Sequence, residues 1–149
     1  MTNYEQLNAQ LEALTGCCPH KIANLANASA LLYEALDDLN WAGFYLMEVG
    51  KLVLGPFQGK SACIEIPVGK GVCGAAVARN ETMLVADVHQ FPGHIACDCA
   101  SNSEIVVPIR KKGQVVGVLD IDRPSLDRFT SDDRAGLEAF VRILERTAF

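Results

Sequence analysis

The chain has 149 residues, half of them apolar, which is enough for one well-buried domain and too short for two. Eighteen acidic against thirteen basic residues give a net charge of −5 with no dense basic run, which argues against nucleic acid or an anionic membrane as a partner. The N-terminal segment MTNYEQLNAQLEAL lacks the basic and apolar regions of a signal peptide, and no apolar run approaches a bilayer span, so we expect a cytoplasmic protein.

Two amphipathic helices are predicted at the start of the chain. Leu7, Leu11 and Leu14 recur at helical spacing, and the segment Thr15 to Pro19 ends this first helix. The second helix extends over about five turns, and its apolar stripe contains Ile22, Leu25, Ala26, Ser29, Leu32, Tyr33, Leu36 and Leu39. Both helices are expected to be packing elements.

After the second helix the apolar period changes from helical to alternating, which indicates β-strands. In the string WAGFYLM, Trp41 and Tyr45 share one face because successive strand side chains point to opposite sides. A turn at residues 49–51 predicts a hairpin through LVL that closes at Gly55-Pro56. The segment Cys63 to Val68 predicts a third strand.

The segment GKGVCGAAVARN predicts a glycine loop that enters a helix of about two turns. Cys73 falls in the first turn of this helix, where the partial positive charge of the helix start favours a thiolate. The same segment fits the spacing GxGxxG, but it lies among predicted hairpins and leaves no room for the second half of a dinucleotide-binding fold. A further short strand is predicted in ETMLVAD.

Two strands, Ile105 to Arg110 and Gln114 to Ile121, are joined by a tight turn and are therefore predicted to be antiparallel neighbours. On the second of them, Asp120 and Asp122 share a face with Val116 and Val118. Their Cα atoms are about 6 to 7 Å apart, so the two carboxylates form a paired acidic site. The C-terminal segment predicts a helix with Thr130 and Asp133 as a capping box, and its buried stripe contains Leu137, Phe140, Val141 and Leu144. Helices around antiparallel hairpins indicate an α+β domain.

The loop from His89 to the strand at Ile105 concentrates side chains with reactive groups. His89, His94, Cys97 and Cys99 are residue types that bind zinc, but their spacing is not a known zinc pattern, so we expect no metal. A hydrolase with Cys97 and a histidine lacks a local signature. Since Cys63, Cys73 and Cys97 each lie at a strand end, a helix start or a loop, they indicate thiol redox chemistry in a reducing compartment.

Six strings, in this order, carry a resemblance to a known family: NWAGFYL, LGPFQGK, GKGVCG, ADVHQFPGHIACD, SEIVVPI and GVLDID. Together they resemble the free methionine-(R)-sulfoxide reductases, whose fold is a GAF domain. The similarity extends from the second helix to the last. It implies a GAF-like α+β fold, an antiparallel sheet with helices packed against it, as a single domain over residues 1–149.

The resemblance also implies a role for individual residues. Cys97 matches the nucleophile, and Cys63 or Cys73 matches the resolving thiol. The aromatic and acidic residues that hold the substrate match Trp41, Tyr45, Glu104, Asp120 and Asp122. Glu104 and Asp122 are also implied in catalysis, and no cofactor is implied. Cys99 is an extra thiol that leaves the resolving assignment open.

The implied activity is reduction of free L-methionine (R)-S-oxide to methionine. The reaction would pass through a cysteine sulfenic acid and a disulfide that thioredoxin reduces. Family members are often dimers, so the resemblance allows a homodimer. The alternative from another class is a non-catalytic GAF module that binds a small ligand or senses oxidants.

Overall fold

A computed structural model of the protein describes residues 1–93 and 101–149 and contains six strands and four α-helices there. The strands are Trp41–Glu48 (β1), Lys51–Gly59 (β2), Glu65–Pro67 (β3), Met83–Val85 (β4), Ser103–Lys111 (β5) and Gln114–Arg123 (β6). The helices are Tyr4–Thr15 (α1), Lys21–Ala35 (α2), Gly71–Arg79 (α3) and Ser131–Thr147 (α4), and a 3-10 helix spans Val88–Gln90.

All six strands form one antiparallel sheet in the order β3-β2-β1-β6-β5-β4. Helices α2 and α4 pack on one face of this sheet, α1 packs against these two helices, and α3 packs on the other face of the sheet. The predicted α+β class is therefore confirmed. The face that carries α3 is the one that positions the candidate site.

Alternation along β1 divides the apolar residues between the two faces, as predicted. Ala42 and Phe44 are fully buried under the three-helix layer. Trp41 and Tyr45 belong to the second apolar cluster, which lies between the sheet and α3. Because a strand alternates sides at every residue, one sequence segment thus contributes both to the main core and to the wall of the candidate site.

The stripes predicted for α1 and α2 are wrong at four positions. Leu14, Ile22 and Tyr33 are exposed, with 48%, 62% and 39% of their surface accessible, and Ala26 is exposed as well. Ile22 and Tyr33 lie three turns apart on a side of α2 that borders the buried stripe, and that stripe contains Asn24, Leu25, Ala28, Ser29 and Leu32. Helix α2 also ends at Ala35, one turn earlier than its apolar pattern predicted.

The second and third strands differ from the predicted bounds. Strand β2 does not close at Gly55-Pro56 but continues to Gly59, and the register with β1 shifts at this dipeptide. A bulge accommodates proline in a strand because proline has no N–H to donate to the ladder. Strand β3 contains only Glu65–Pro67, so Cys63 precedes the strand instead of starting it.

Strands β5 and β6 form the predicted hairpin, with Lys112 and Gly113 in the turn at positive φ. The register places Ile109 opposite Gly117 but Arg110 opposite Val115, so Val116 is an extra residue in β6. Such a bulge reverses the side to which a residue points. Val116 consequently packs against the three-helix layer and not on the predicted face with Val118.

Helix α4 begins with the predicted capping box. The Thr130 hydroxyl accepts from the backbone N–H of Asp133, and the Asp133 carboxylate accepts from the backbone N–H of Thr130. The predicted stripe is buried, at Leu137, Phe140, Val141 and Leu144. Within residues 1–93 and 101–149, no helix has both the length and the apolar character needed to cross a bilayer.

Candidate active site

An open cleft of about 560 Å³, its mouth included, lies between the sheet and the start of α3. Strands β1, β5 and β6, the segment before β3 and the first turn of α3 all contribute to its walls. The lining residues are Trp41, Tyr45, Ser61, Ala62, Ile66, Lys70, Gly71, Val72, Cys73, Ser101, Glu104, Asp120 and Asp122.

Stacked aromatic rings form one wall of the cleft. The Trp41 ring stacks on Tyr45 with 5.9 Å between ring centroids and on Phe57 with 5.1 Å. The indole N–H of Trp41 donates to the Lys60 carbonyl over 3.0 Å, and the Tyr45 hydroxyl donates to the Cys63 carbonyl over 2.8 Å. These two hydrogen bonds hold the rings and tie the segment before β3 to the wall.

The sheet register brings the predicted acidic residues into one group. Glu104 on β5 lies opposite Asp122 on β6, which in turn lies opposite Trp41 on β1. Asp120 is in the next inward-facing position of β6, and only 6% of its surface and 7% of that of Glu104 are exposed. Three carboxyl groups from two strands therefore line the cleft beside the aromatic wall.

Burial controls the charge of Glu104. Loss of solvent raises the pKa of this carboxyl well above its ordinary value, and the negative charges of Asp120 and Asp122 raise it further. Hydrogen bonds to the same two aspartates act in the same direction. The raised pKa favours the neutral carboxylic acid, the form of Glu104 that can donate a proton or a hydrogen bond into the cleft.

The thiolate predicted for Cys73 is wrong. Only 4% of Cys73 is exposed, and burial raises the pKa of its thiol, with Asp120 and Glu104 as further causes. These effects outweigh the helix start, which is worth only about 1 kcal/mol. Burial, followed by the charge of Asp120, likewise raises the pKa of the Tyr45 phenol.

One group of potential metal ligands occurs among the described residues. The Cys73 sulfur and one carboxylate oxygen each of Glu104 and Asp120 lie within 4.8 Å of one another. Metal binding requires deprotonated ligands, whereas burial raises the pKa of both Cys73 and Glu104. The raised pKa values of Cys73 and Glu104 therefore oppose the binding of a metal ion by this group.

The other cysteines differ in state and position. Cys63 is half-buried and disulfide-bonded, while Cys17, Cys18 and Cys73 are free thiols. The predicted nucleophile, Cys97, lies outside the described residues, as do Cys99 and His94. Their expected roles stay predictions. His89 lies on the 3-10 helix, where its ring contacts the side-chain oxygen of Asn102 over 3.1 Å.

Several residues of the cleft escaped the sequence analysis, among them Ser61, Lys70 and Ser101. Lys70 directly precedes α3, and Ser101 lies two residues before β5. Lys70 is part of the string GKGVCG and Ser101 belongs to the segment before SEIVVPI, but periodicity does not identify the residues that flank an element. Only the packing of α3 across the sheet places them in one cleft.

The matches to known proteins point to the same family. The model of the GAF domain matches residues 20–147. The "Free methionine-R-sulfoxide reductase" of Escherichia coli (strain K12) is 59% identical over 143 residues, which are 96% of this chain and 87% of that protein. The protein of the same name from Saccharomyces cerevisiae (strain ATCC 204508 / S288c) is 44% identical, over 96% of this chain and 84% of its own length.

A solved structure agrees with both matches. The structure described as fRMsr of Staphylococcus aureus in its reduced form superimposes with a TM-score of 0.97 at 56% identity, covering 100% of this chain and 97% of that one. The resemblance inferred from the sequence motifs and the GAF-like fold are both confirmed. The chain belongs to the free methionine-(R)-sulfoxide reductases, a family of GAF-domain oxidoreductases.

Proposed function

We propose that this protein reduces free L-methionine (R)-S-oxide to methionine. The observation that carries the proposal is the buried carboxyl group of Glu104, whose pKa is raised and which lies with Asp120 and Asp122 beside the wall of Trp41. A proton donor is needed because the sulfoxide oxygen is a poor leaving group until it is protonated. The relatives named for this reaction support the same activity.

The proposed first step transfers oxygen from the substrate to Cys97. The Cys97 thiolate attacks the sulfoxide sulfur while Glu104 protonates the oxygen. This attack forms a sulfur–sulfur bond. The hydroxyl then migrates to the Cys97 sulfur while the sulfur–sulfur bond and the sulfur–oxygen bond of the substrate break, which leaves methionine and a Cys97 sulfenic acid. The methionine sulfur gains two electrons and the Cys97 sulfur loses two, so no cofactor is required.

Substrate binding uses the two halves of the cleft. The apolar face of Trp41 would contact the methyl group on the sulfur, and the carboxylates of Asp120 and Asp122 would bind the ammonium group of the amino acid. A residue within a protein has no free ammonium group. This acidic cleft therefore favours the free amino acid over a protein-bound methionine sulfoxide.

Cys63 is the better-supported resolving thiol. Cys63 is disulfide-bonded, and its backbone carbonyl accepts a hydrogen bond from the Tyr45 hydroxyl in the cleft wall. Cys73, in contrast, is a free, buried thiol whose pKa is raised. In the proposed second step the Cys63 thiol condenses with the Cys97 sulfenic acid, which forms a disulfide and releases water. Thioredoxin would then reduce this disulfide by exchange with its own dithiol.

The decisive experiment is an epimer-specific assay. Purified protein with thioredoxin, its reductase and NADPH should consume the R epimer of free methionine sulfoxide and spare the S epimer, as followed by chromatography of both. An equal rate with the two epimers would contradict the proposal. Ligand binding without any turnover would favour a sensor module instead.

Cys63→Ser is expected to stop the reaction after one turnover. The first methionine still forms at about one per protein, but thioredoxin-driven turnover falls at least about tenfold because the sulfenic acid lacks its resolving thiol. Cys73→Ser should retain repeated turnover. Rapid-quench counting of methionine measures both, with the exposed Cys17→Ser as the control. If Cys73→Ser stopped after one turnover and Cys63→Ser kept repeated turnover, Cys73 would be the resolving thiol.

We also propose that the protein acts in the cytoplasm as a single domain over residues 1–149, and as a homodimer. A relay of thiols needs a reducing compartment to regenerate it, which supports the location. Light scattering of the purified protein tests the dimer, and a molar mass near that of one chain would contradict it.

A further inference from the structure

Ser101 is a buried hydroxyl of the cleft that the proposed chemistry does not use. Only 6% of its surface is exposed, and it lines the cleft just before β5. The side-chain nitrogen of Asn40 donates to the Ser101 hydroxyl oxygen over 2.8 Å. The lone pair of an amide nitrogen is delocalised into the carbonyl group, so the nitrogen only donates and Ser101 is the acceptor of this bond.

The hydroxyl hydrogen of Ser101 is consequently available for a second bond. Among residues 1–93 and 101–149, the hydroxyl has Asn40 as its partner and no acceptor for its own hydrogen. Buried donors in folded proteins almost always find an acceptor, because an unmatched one costs about 1 to 3 kcal/mol. An oxygen of a molecule in the cleft would fulfil this requirement.

The position of Ser101 indicates which oxygen that is. The backbone N–H of Asn40 donates to the carbonyl of Asp122, so the Asn40–Ser101 pair adjoins the row formed by Glu104, Asp122 and Trp41. A substrate carboxylate next to these acids would be repelled by like charge. Lys70 and the first turn of α3 line another part of the cleft and suit a carboxylate better. A neutral sulfoxide oxygen fits beside the acidic row.

We propose that Ser101, oriented by Asn40, donates a hydrogen bond to the sulfoxide oxygen and so selects the R epimer. This inference rests on the proposed function. The sulfoxide sulfur is a pyramidal stereocentre that carries the methyl group, the side chain and the oxygen. With the methyl group against Trp41 and the ammonium group at the aspartates, one epimer directs its oxygen toward Ser101 and the other directs it away.

Binding to a protein that cannot turn over tests this proposal. In a Cys97→Ser background, calorimetry would compare the R epimer, the S epimer and methionine, which lacks the oxygen. Adding Ser101→Ala should weaken binding of the R epimer about three- to tenfold, leave methionine within about twofold, and bring the two epimers closer in affinity. Ser61→Ala removes an exposed hydroxyl of the same cleft and serves as the matched control.

A second variant separates the hydrogen bond from packing. Asn40→Asp keeps Ser101 but replaces the donor by an acceptor, which draws the hydroxyl hydrogen away from the cleft. Asn40→Asp should weaken binding of the R epimer more than binding of methionine. The added negative charge acts on both ligands alike, so the difference between them reports the lost hydrogen bond. Unchanged epimer preference in both variants, or equal weakening of methionine, would overturn the proposal. If the Cys97→Ser parent binds neither epimer, the proposed function fails instead.

Discussion

Cys97→Ser is expected to lower the turnover of free methionine (R)-sulfoxide by at least about a thousandfold. A serine hydroxyl is a far weaker nucleophile than a thiolate at neutral pH, and it cannot hold the transferred oxygen as a sulfenic acid. Binding should survive, because Trp41 and the acidic row, which we propose hold the substrate, are unchanged in this variant. Single-turnover formation of methionine and calorimetric titration with the sulfoxide measure the two properties separately.

Cys99→Ser is the matched control for this variant, since it removes a thiol from the same loop two positions away. It should retain repeated turnover and the same stereochemical preference. If Cys99→Ser were inactive while Cys97→Ser still produced methionine, the assignment of the nucleophile would have to be exchanged between these two cysteines. Peptide mapping after one turnover would then locate the sulfenic acid or disulfide directly.

Glu104→Gln is expected to lower kcat by about 10² to 10³, the range typical of a lost general acid. The amide has nearly the shape of the carboxylic acid, but it has no acidic proton to give to the leaving oxygen. Binding of methionine should change little in comparison. Steady-state kinetics and methionine titration test this expectation. The control is Glu48→Gln, which alters an exposed carboxylate at the end of β1.

The same substitution should stabilise the fold at neutral pH. Burial raises the pKa of Glu104 in the folded protein, whereas in the unfolded chain the carboxyl releases its proton near its usual value of about 4.3. Above that pH the folded state holds a proton that the unfolded state has lost. Stability therefore falls as pH rises toward the folded-state pKa, and Glu104→Gln removes this penalty.

Urea unfolding of the parent and of Glu104→Gln at about pH 5 and about pH 8 measures this effect. The free energy of unfolding of the parent should decline more steeply between the two conditions than that of the variant. An equal decline in both proteins would indicate that Glu104 releases its proton as readily when folded as when unfolded. A less stable variant with unchanged kcat would make Glu104 a structural residue.

The local sequence pattern correctly predicted those parts of the fold and of the site that depend on one helix, one strand or one hairpin. The alternation in β1 placed Trp41 and Tyr45 on one face, and the capping residues placed the start of α4 at Thr130. The tight turn before β6 predicted the hairpin that carries the acidic residues. In each of these cases the deciding contacts lie within a few residues or between adjacent strands.

The wrong or missing predictions concern features that depend on packing between segments far apart in the sequence. The helix start favours a thiolate at Cys73, but the burial that reverses this preference depends on strands β5 and β6 across the cleft. A bulge turns Val116 to the other side of the sheet. The sequence pattern of apolar residues in β6 does not reveal this extra residue. Ser101 is not part of any periodic sequence pattern. Its proposed role depends on its hydrogen bond with Asn40, which is 61 residues earlier in the chain.

The hydrogen bonds from the aromatic wall to the segment before β3 link two functions of the cleft. Trp41 and Tyr45 are the rings proposed to hold the substrate, and through Lys60 and Cys63 they also anchor the segment of the proposed resolving thiol. We therefore expect a ligand that reorients these rings to alter the reduction potential of the Cys63 disulfide. Thermodynamic reciprocity requires the converse as well, so the oxidised and reduced proteins should bind methionine with different affinities.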